Sequence, residues 1–282
     1  MEADRRSRTI EIPAIMRALH QSADDEPKIL SDPIAPRLSA ADDDRHWLVP
    51  LLEHPFAKQW RAGFALRSRY AEDCLQEAIQ RGVQQYVILG AGLDTFAYRW
   101  PAHLGSLRIY EVDHPTTQQW KRERLKKADI ALPSNLTFVP IDFEKTPIRD
   151  ALAAHGFDPS IRTLCSWMGV TQYLTGEAVD ATLRFALSLP RASEIVFSFS
   201  LPQDALSGAE AEAVALAARR AAEVGEPWLT RLHVAELAFK LGAMGFSRIV
   251  HLTPEEAGRR YFAGRRDGLK ERRGERLIRA IV

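Results

Sequence analysis

Hydrophobic and polar positions divide the chain into short apolar runs separated by longer amphipathic stretches. Strand-length runs rich in β-branched and aliphatic residues fall at 85–89, 107–113, 136–143, 161–167 and 194–200. Between and around them, spacing near 3.6 residues predicts helices over 116–127, 147–155, 176–189, 205–224 and 234–244. Strands alternating with helices in this way predict a doubly wound, mainly parallel α/β sheet. A further strand at 246–252, after Gly245 stops a helix, would complete it.

Upstream of the first strand the pattern is helical from 45 to 81. Pro55 opens a new helix there, and Phe56, Trp60, Phe64, Leu66, Tyr70, Cys74, Leu75 and Ile79 form its apolar faces before Gly82 ends it. Residues 1–40 read as an arm. Ile10, Ile12, Ile15, Met16 and Leu19 give it a helical stripe, which the polar residues from Ser22 to Pro27 break. Ser31-Asp32-Pro33-Ile34 is a turn signal with a structural role. Asp42-Asp43-Asp44 suits a helix start better than a metal site, because consecutive side chains point in different directions. No metal is expected. The resulting division is a helical N-terminal arm or lid over 1–82 and a Rossmann-like core over 83–282, with a helical insertion near 203–232.

Charge and cysteine usage narrow the classes. With 38 basic and 37 acidic side chains, the whole chain gives no argument for nucleic acid or an anionic membrane as partner. The local exception is 259–279, with nine basic residues against three acids. The interleaved acids and Tyr261, Phe262 and Leu269 favour a folded amphipathic helix or an anion-facing wall over an RNA-binding tail. Cys74 and Cys165 lie in a helix and a buried strand, with no Cys-x-x-Cys pair, which argues against a disulfide framework or structural zinc. A charged N-terminus and the lack of any ~20-residue apolar run predict a soluble, cytoplasmic protein.

The chemistry centres on Leu89-Gly90-Ala91-Gly92-Leu93-Asp94-Thr95, where the first strand turns sharply into a helix. Two glycines let a ligand approach bare main chain. A dinucleotide fingerprint would add a third glycine and seat a phosphate at the helix N-terminus, where Asp94 instead places a carboxylate. A nucleoside cofactor without phosphates avoids that repulsion, and S-adenosylmethionine, with its cationic sulfonium, fits. Glu111 and Asp113 follow Gly92 by about the ~20 residues expected of an acid that reaches ribose hydroxyls. Alternation puts both on one face. Asp142 marks the end of the third strand, and ligands of open parallel sheets bind at such carboxyl ends.

Arg67-x-Arg69, Leu89 to Thr95, Glu111-Val112-Asp113, Asp142 and Gly169-Val170-Thr171-Gln172-Tyr173-Leu174-Thr175 together resemble the leucine carboxyl methyltransferase-like family of S-adenosylmethionine-dependent methyltransferases, in its bacterial branch. Arg17-Ala18, Asp32-Pro33, Gly225-Glu226-Pro227-Trp228, Arg260-Tyr261-Phe262 and Arg266-Asp267-Gly268 extend the resemblance over most of the chain. It implies a class I methyltransferase fold and S-adenosyl-L-methionine as cofactor. It also implies that Arg67 holds the methionyl carboxylate, that Gly90, Ala91 and Gly92 give close backbone approach, that Asp113 takes the ribose hydroxyls, and that Asp142 and Phe143 flank the adenine. In one place the chain departs: relatives often carry an acid just before the glycine of the fourth-strand motif, where this sequence has Met168.

Methyl transfer from a sulfonium is an in-line displacement, so the protein must hold an acceptor oxygen behind the methyl. A carboxylate acceptor needs no base, whereas a hydroxyl does. Tyr173, His114 and Tyr261 are the candidate bases, and arginines from the lid or the basic segment would clamp a carboxylate. The expected function is O-methylation of a small-molecule carboxylate or hydroxyl. A nicotinamide-dependent oxidoreductase and a non-catalytic cofactor-binding protein are the alternatives.

Overall fold

The computed structural model describes residues 8–40, 53–99, 107–143 and 145–282. Asp42-Asp43-Asp44, the first part of the helical pattern at 45–52, and Trp100-Pro101 lie outside them.

Seven strands form one sheet in the order β3-β2-β1-β4-β5-β7-β6. The strands β1 (Gln85–Leu89), β2 (Arg108–Asp113), β3 (Leu136–Pro140), β4 (Thr163–Trp167) and β5 (Glu194–Ser200) are parallel. β1, β4 and β5 are buried at every position. That burial explains their continuous apolar runs: a parallel strand is covered on both faces, so alternation is lost.

Alternate side chains of the central strands feed two apolar layers. Tyr86, Ile88, Ile109, Leu164 and Val196 pack against Leu66, Tyr70, Cys74 and Leu75 of the long helix α3 (Ala57–Gln80). On the same side, Ala14 comes from α1 (Arg8–Ala23) and Leu38 from α2 (Ile34–Ala40). Val87, Val112, Cys165, Trp167 and Phe197 point the other way. They meet Leu152 of α6 (Ile148–Ala154), Leu183 of α7 (Gly176–Leu187) and Leu241 of α9 (Val234–Met244). A smaller cluster of Ile15, Met16 and Trp60 with Phe64 and Leu216 joins α1 and α3 to α8 (Gly208–Glu223) above the carboxyl edge. The two remaining crossings are α4 (Phe96–Arg99), after the glycine loop, and α5 (Pro115–Lys127), capped by His114.

The sheet does not finish at 246–252. β6 (Arg248–Leu252) is the edge strand, and β7 (Glu275–Ile281) inserts between it and β5, antiparallel to both. The basic stretch 259–279 is therefore neither an amphipathic helix nor a tail. It begins as a single wide helical turn, Gly258–Phe262, and ends inside β7. Acids meet its charges. Arg279 donates to the fully buried Glu194 at 2.5 Å and to Glu77 at 2.6 Å, and Arg260 lies 3.4 Å from Glu256. Arg81 reaches Glu194 from the other side at 2.6 Å.

Candidate active site

At the end of β1 the chain turns through Gly90 (φ +66°) and Gly92 (φ +47°), a region of φ that side chains disfavour. The Gly90 and Ala91 N–H groups donate to Val112 O, which bends the loop over β2. A Cβ on Gly90 would lie 2.4 Å from Val170 Cγ2, so the loop also needs glycine for space. Asp94 Oδ1 accepts the Phe96 N–H at 2.8 Å. The donor that a phosphate would use at this helix start is thus already taken by a carboxylate.

Asp113, the last residue of β2, curls back into the loop. Its Oδ2 accepts the Gly92 N–H at 2.5 Å and its Oδ1 accepts the His114 N–H at 2.7 Å. Burial raises the Asp113 carboxyl above its ordinary value, and these two N–H groups oppose the shift. Arg67 comes from α3, with its guanidinium 4.6 Å over the Phe64 ring and Nη1 3.3 Å from Glu275 Oε1. Gly169 (φ +74°), after β4, makes room for it: a Cβ there would sit 2.5 Å from Arg67 Nη1.

These groups line a cavity of about 870 Å³ at the carboxyl edge of the sheet. Arg67, Gly90, Ala91, Gly92, Asp94, Asp113, Asp142 and Phe143 all lie in its wall, as do His114, Tyr173 and Met168. Asp142 is 2.8 Å from Lys145 Nζ. The set fits a nucleoside bearing an amino-acid tail, with carboxylates at two strand ends, exposed main chain at the loop and a guanidinium beyond it.

Glu111 and Tyr261 are elsewhere. Although Glu111 alternates in phase with Asp113, it lies one pleat below the strand end, beneath α4 and α5. There it sits 2.6 Å from Lys121 Nζ and accepts the Tyr98 hydroxyl at 3.3 Å. Burial pushes its carboxyl up to about 7 against the pull of Lys121. The Tyr261 hydroxyl donates to Asp73 on α3 at 2.7 Å, and its acidity is suppressed by burial and that carboxylate. The His114 ring caps α5, its Nδ1 2.8 Å from Thr116 Oγ1.

Sequence reasoning missed two parts of the site. Asp32, read as a turn residue, is fully buried and ties the arm to the glycine loop. It accepts from Thr95 Oγ1 at 2.6 Å and from Arg17 Nε at 3.3 Å, while Arg17 donates to Leu93 O at 2.7 Å. Glu275, hidden in the basic stretch, lines the cavity with Arg272. The pairing of Asp32-Pro33 with Arg17 was the available signal for the first.

The strand order, with its antiparallel β7, and a cavity at the carboxyl edge beside the glycine loop define the class I methyltransferase architecture. Residues 10–187 match the family model for leucine carboxyl methyltransferase, and the chain belongs to that family. It is 37% identical over 204 residues to YktD of Bacillus subtilis (strain 168), named as an S-adenosyl-L-methionine-dependent methyltransferase, covering 72% of this chain and 67% of that one. A similarly named protein of Mycobacterium tuberculosis (strain ATCC 25618 / H37Rv) is 34% identical over 198 residues, 66% of this chain and 64% of the relative. In fold the chain is similar to a DUF574 family protein of Streptomyces avermitilis, with a TM-score of 0.54 at 16% identity over 98% and 97% of the two chains. The protein is a methyltransferase with S-adenosyl-L-methionine as cofactor, and the nicotinamide alternative falls away. No helix among the described residues is long and apolar enough to cross a membrane.

Proposed function

We propose that the chain is an O-methyltransferase acting on a carboxylate or hydroxyl of a small-molecule acceptor. The observation that carries this is the second half of the cavity. Beyond Arg67 and the glycine loop it is walled by Ile12 and Pro13 of α1, Trp60 and Phe64 of α3, Leu216 and Ala221 of α8, and Trp228. The whole cavity has the volume of small-molecule sites, roughly 300–1,000 Å³, and apolar walls with a few placed polar groups are typical of them.

When bound, S-adenosylmethionine supplies an electrophilic methyl on a sulfonium. The chain's task is to hold and orient. Arg67 would pair with the methionyl carboxylate, Asp113 would accept the ribose hydroxyls, and Asp142 and Phe143 would border the adenine. The helical walls exclude water and fix the acceptor behind the methyl, an arrangement that can supply roughly 7–11 kcal/mol of the barrier. A carboxylate acceptor reacts without a base. A hydroxyl acceptor would use Tyr173, because the His114 ring is engaged as a helix cap and Tyr261 lies outside the cavity.

The test is transfer of a labelled methyl from S-adenosylmethionine to panels of small carboxylic acids and phenols. Label released as methanol in mild base identifies an ester, and base-stable label identifies an ether. Cofactor binding without transfer to either panel, or to acceptors recovered from cell extract, would favour the non-catalytic alternative.

A further inference from the structure

S-adenosylmethionine carries both signs at its amino-acid end, an α-carboxylate and an α-ammonium. Arg67 is suited only to the first. Among the cavity-lining acids, Asp113 and Asp142 are assigned to the ribose and the adenine, Asp94 caps Phe96, Glu72 is paired with Arg99, and Glu223 and Glu226 stand at and just after the end of α8. The end of β4 contributes the thioether of Met168, which offers an ammonium no charge.

Glu275 is placed differently. As the first residue of β7 it pairs with Ser200, the last of β5, and so stands at the carboxyl edge although its strand runs the other way. Its Oε1 is 3.3 Å from Arg67 Nη1 and its Oε2 3.7 Å from Arg272 Nη1, and all three residues line the cavity. We propose that Glu275 accepts the α-ammonium of the cofactor, so that the Arg67–Glu275 ion pair is a preformed template for the cofactor's zwitterionic end. This rests on the assignment of Arg67 to the methionyl carboxylate.

Binding exchanges one ion pair for an alternating set of four charges: guanidinium, ligand carboxylate, ligand ammonium and Glu275. No net charge is buried without a partner, which is the condition for charges to be tolerated out of water. Arg272 remains against Oε2 while Arg67 turns to the ligand.

Calorimetric titration separates the roles with three ligands: S-adenosylhomocysteine, its deaminated analogue, which keeps the carboxylate, and methylthioadenosine, which lacks the amino-acid end. The wild-type protein is expected to bind S-adenosylhomocysteine at least tenfold more tightly than the deaminated analogue. Glu275→Gln should weaken S-adenosylhomocysteine by at least tenfold and leave the other two within about twofold. Equal wild-type affinity for the first two ligands overturns the proposal, and does so without relying on the folding of any variant. An equal loss of the deaminated analogue in Glu275→Gln also overturns it, because Glu275 would then act only by orienting Arg67. Failure of methylthioadenosine to bind the wild type would instead overturn the adenosine site at Asp113 and Asp142.

Discussion

The carboxylate of Asp32 and the hydroxyl of Thr95, 63 residues apart in sequence, hydrogen-bond at 2.6 Å with both residues out of water. The N-terminal arm is thereby fastened to the glycine loop. Arg17 adds a second fastening through Leu93 O, and Arg99 lies 3.6 Å from the same carboxylate. Asp32→Ala would leave buried guanidiniums short of a counter-charge, and the expected cost is about 3–5 kcal/mol of stability. Thr95→Val removes two hydrogen bonds, one to Asp32 and one from Arg99 Nε, and should cost about 1–3 kcal/mol. Urea denaturation of both variants gives the two numbers, and a cost for Asp32→Ala no larger than for Thr95→Val would contradict the hub role.

Gly90→Ala meets two obstacles, a positive φ worth about 1–2 kcal/mol for an L-residue and the 2.4 Å approach to Val170. Adding Val170→Ala should relieve the second and leave the first. The double variant is therefore expected to recover part of the lost stability, visible as a coupling in a double-mutant cycle.

Asp113→Asn keeps one acceptor oxygen but loses the charge and the second acceptor. Hydrogen bonds to a charged group are worth about 1.5–3 kcal/mol, so methylthioadenosine affinity should fall by roughly 10- to 100-fold. Isothermal titration measures this, and unchanged affinity would remove Asp113 from the ribose site.

The Glu111 carboxyl, raised by burial to about 7 in the folded protein against 4.5 in the unfolded chain, binds its proton more tightly when folded. Its contribution to stability is fully present below 4.5 and declines as pH rises through 7. Relative to a Glu111→Gln/Lys121→Met variant, the wild type should lose stability between pH 4.5 and 7. Thermal melts across that range test the sign, and a wild type that gains on the variant as pH rises would refute it.

Of the first five strands, β1, β4 and β5 were legible because each is an apolar run buried at every position, and β2 and the partly buried edge strand β3 because their apolar runs are still of strand length. The glycine loop was legible because only glycine serves both its φ and its clearance from Val170. β7 was not, because Arg276 and Arg279 make its sequence read as surface. The partners that let Arg279 be buried, Glu194 and Glu77, lie 85 and 202 residues away. Glu111 and Asp113 share the same two-residue alternation, and only the end of the strand frees the second to reach Gly92. Asp32 looked like any aspartate before proline, since its role depends on Thr95 and Arg17 arriving from other elements.

β6 is joined to the sheet through β7 alone, yet the ribosome makes it earlier. The parallel half of the sheet and the glycine loop can form from residues already made, whereas β6 must wait for its neighbour to slide in beside β5. Glu275 arrives with that neighbour. The edge of the sheet and the wall of the cavity beside Arg67 therefore depend on the same strand, and a ligand bound at Glu275 would also hold the sheet closed.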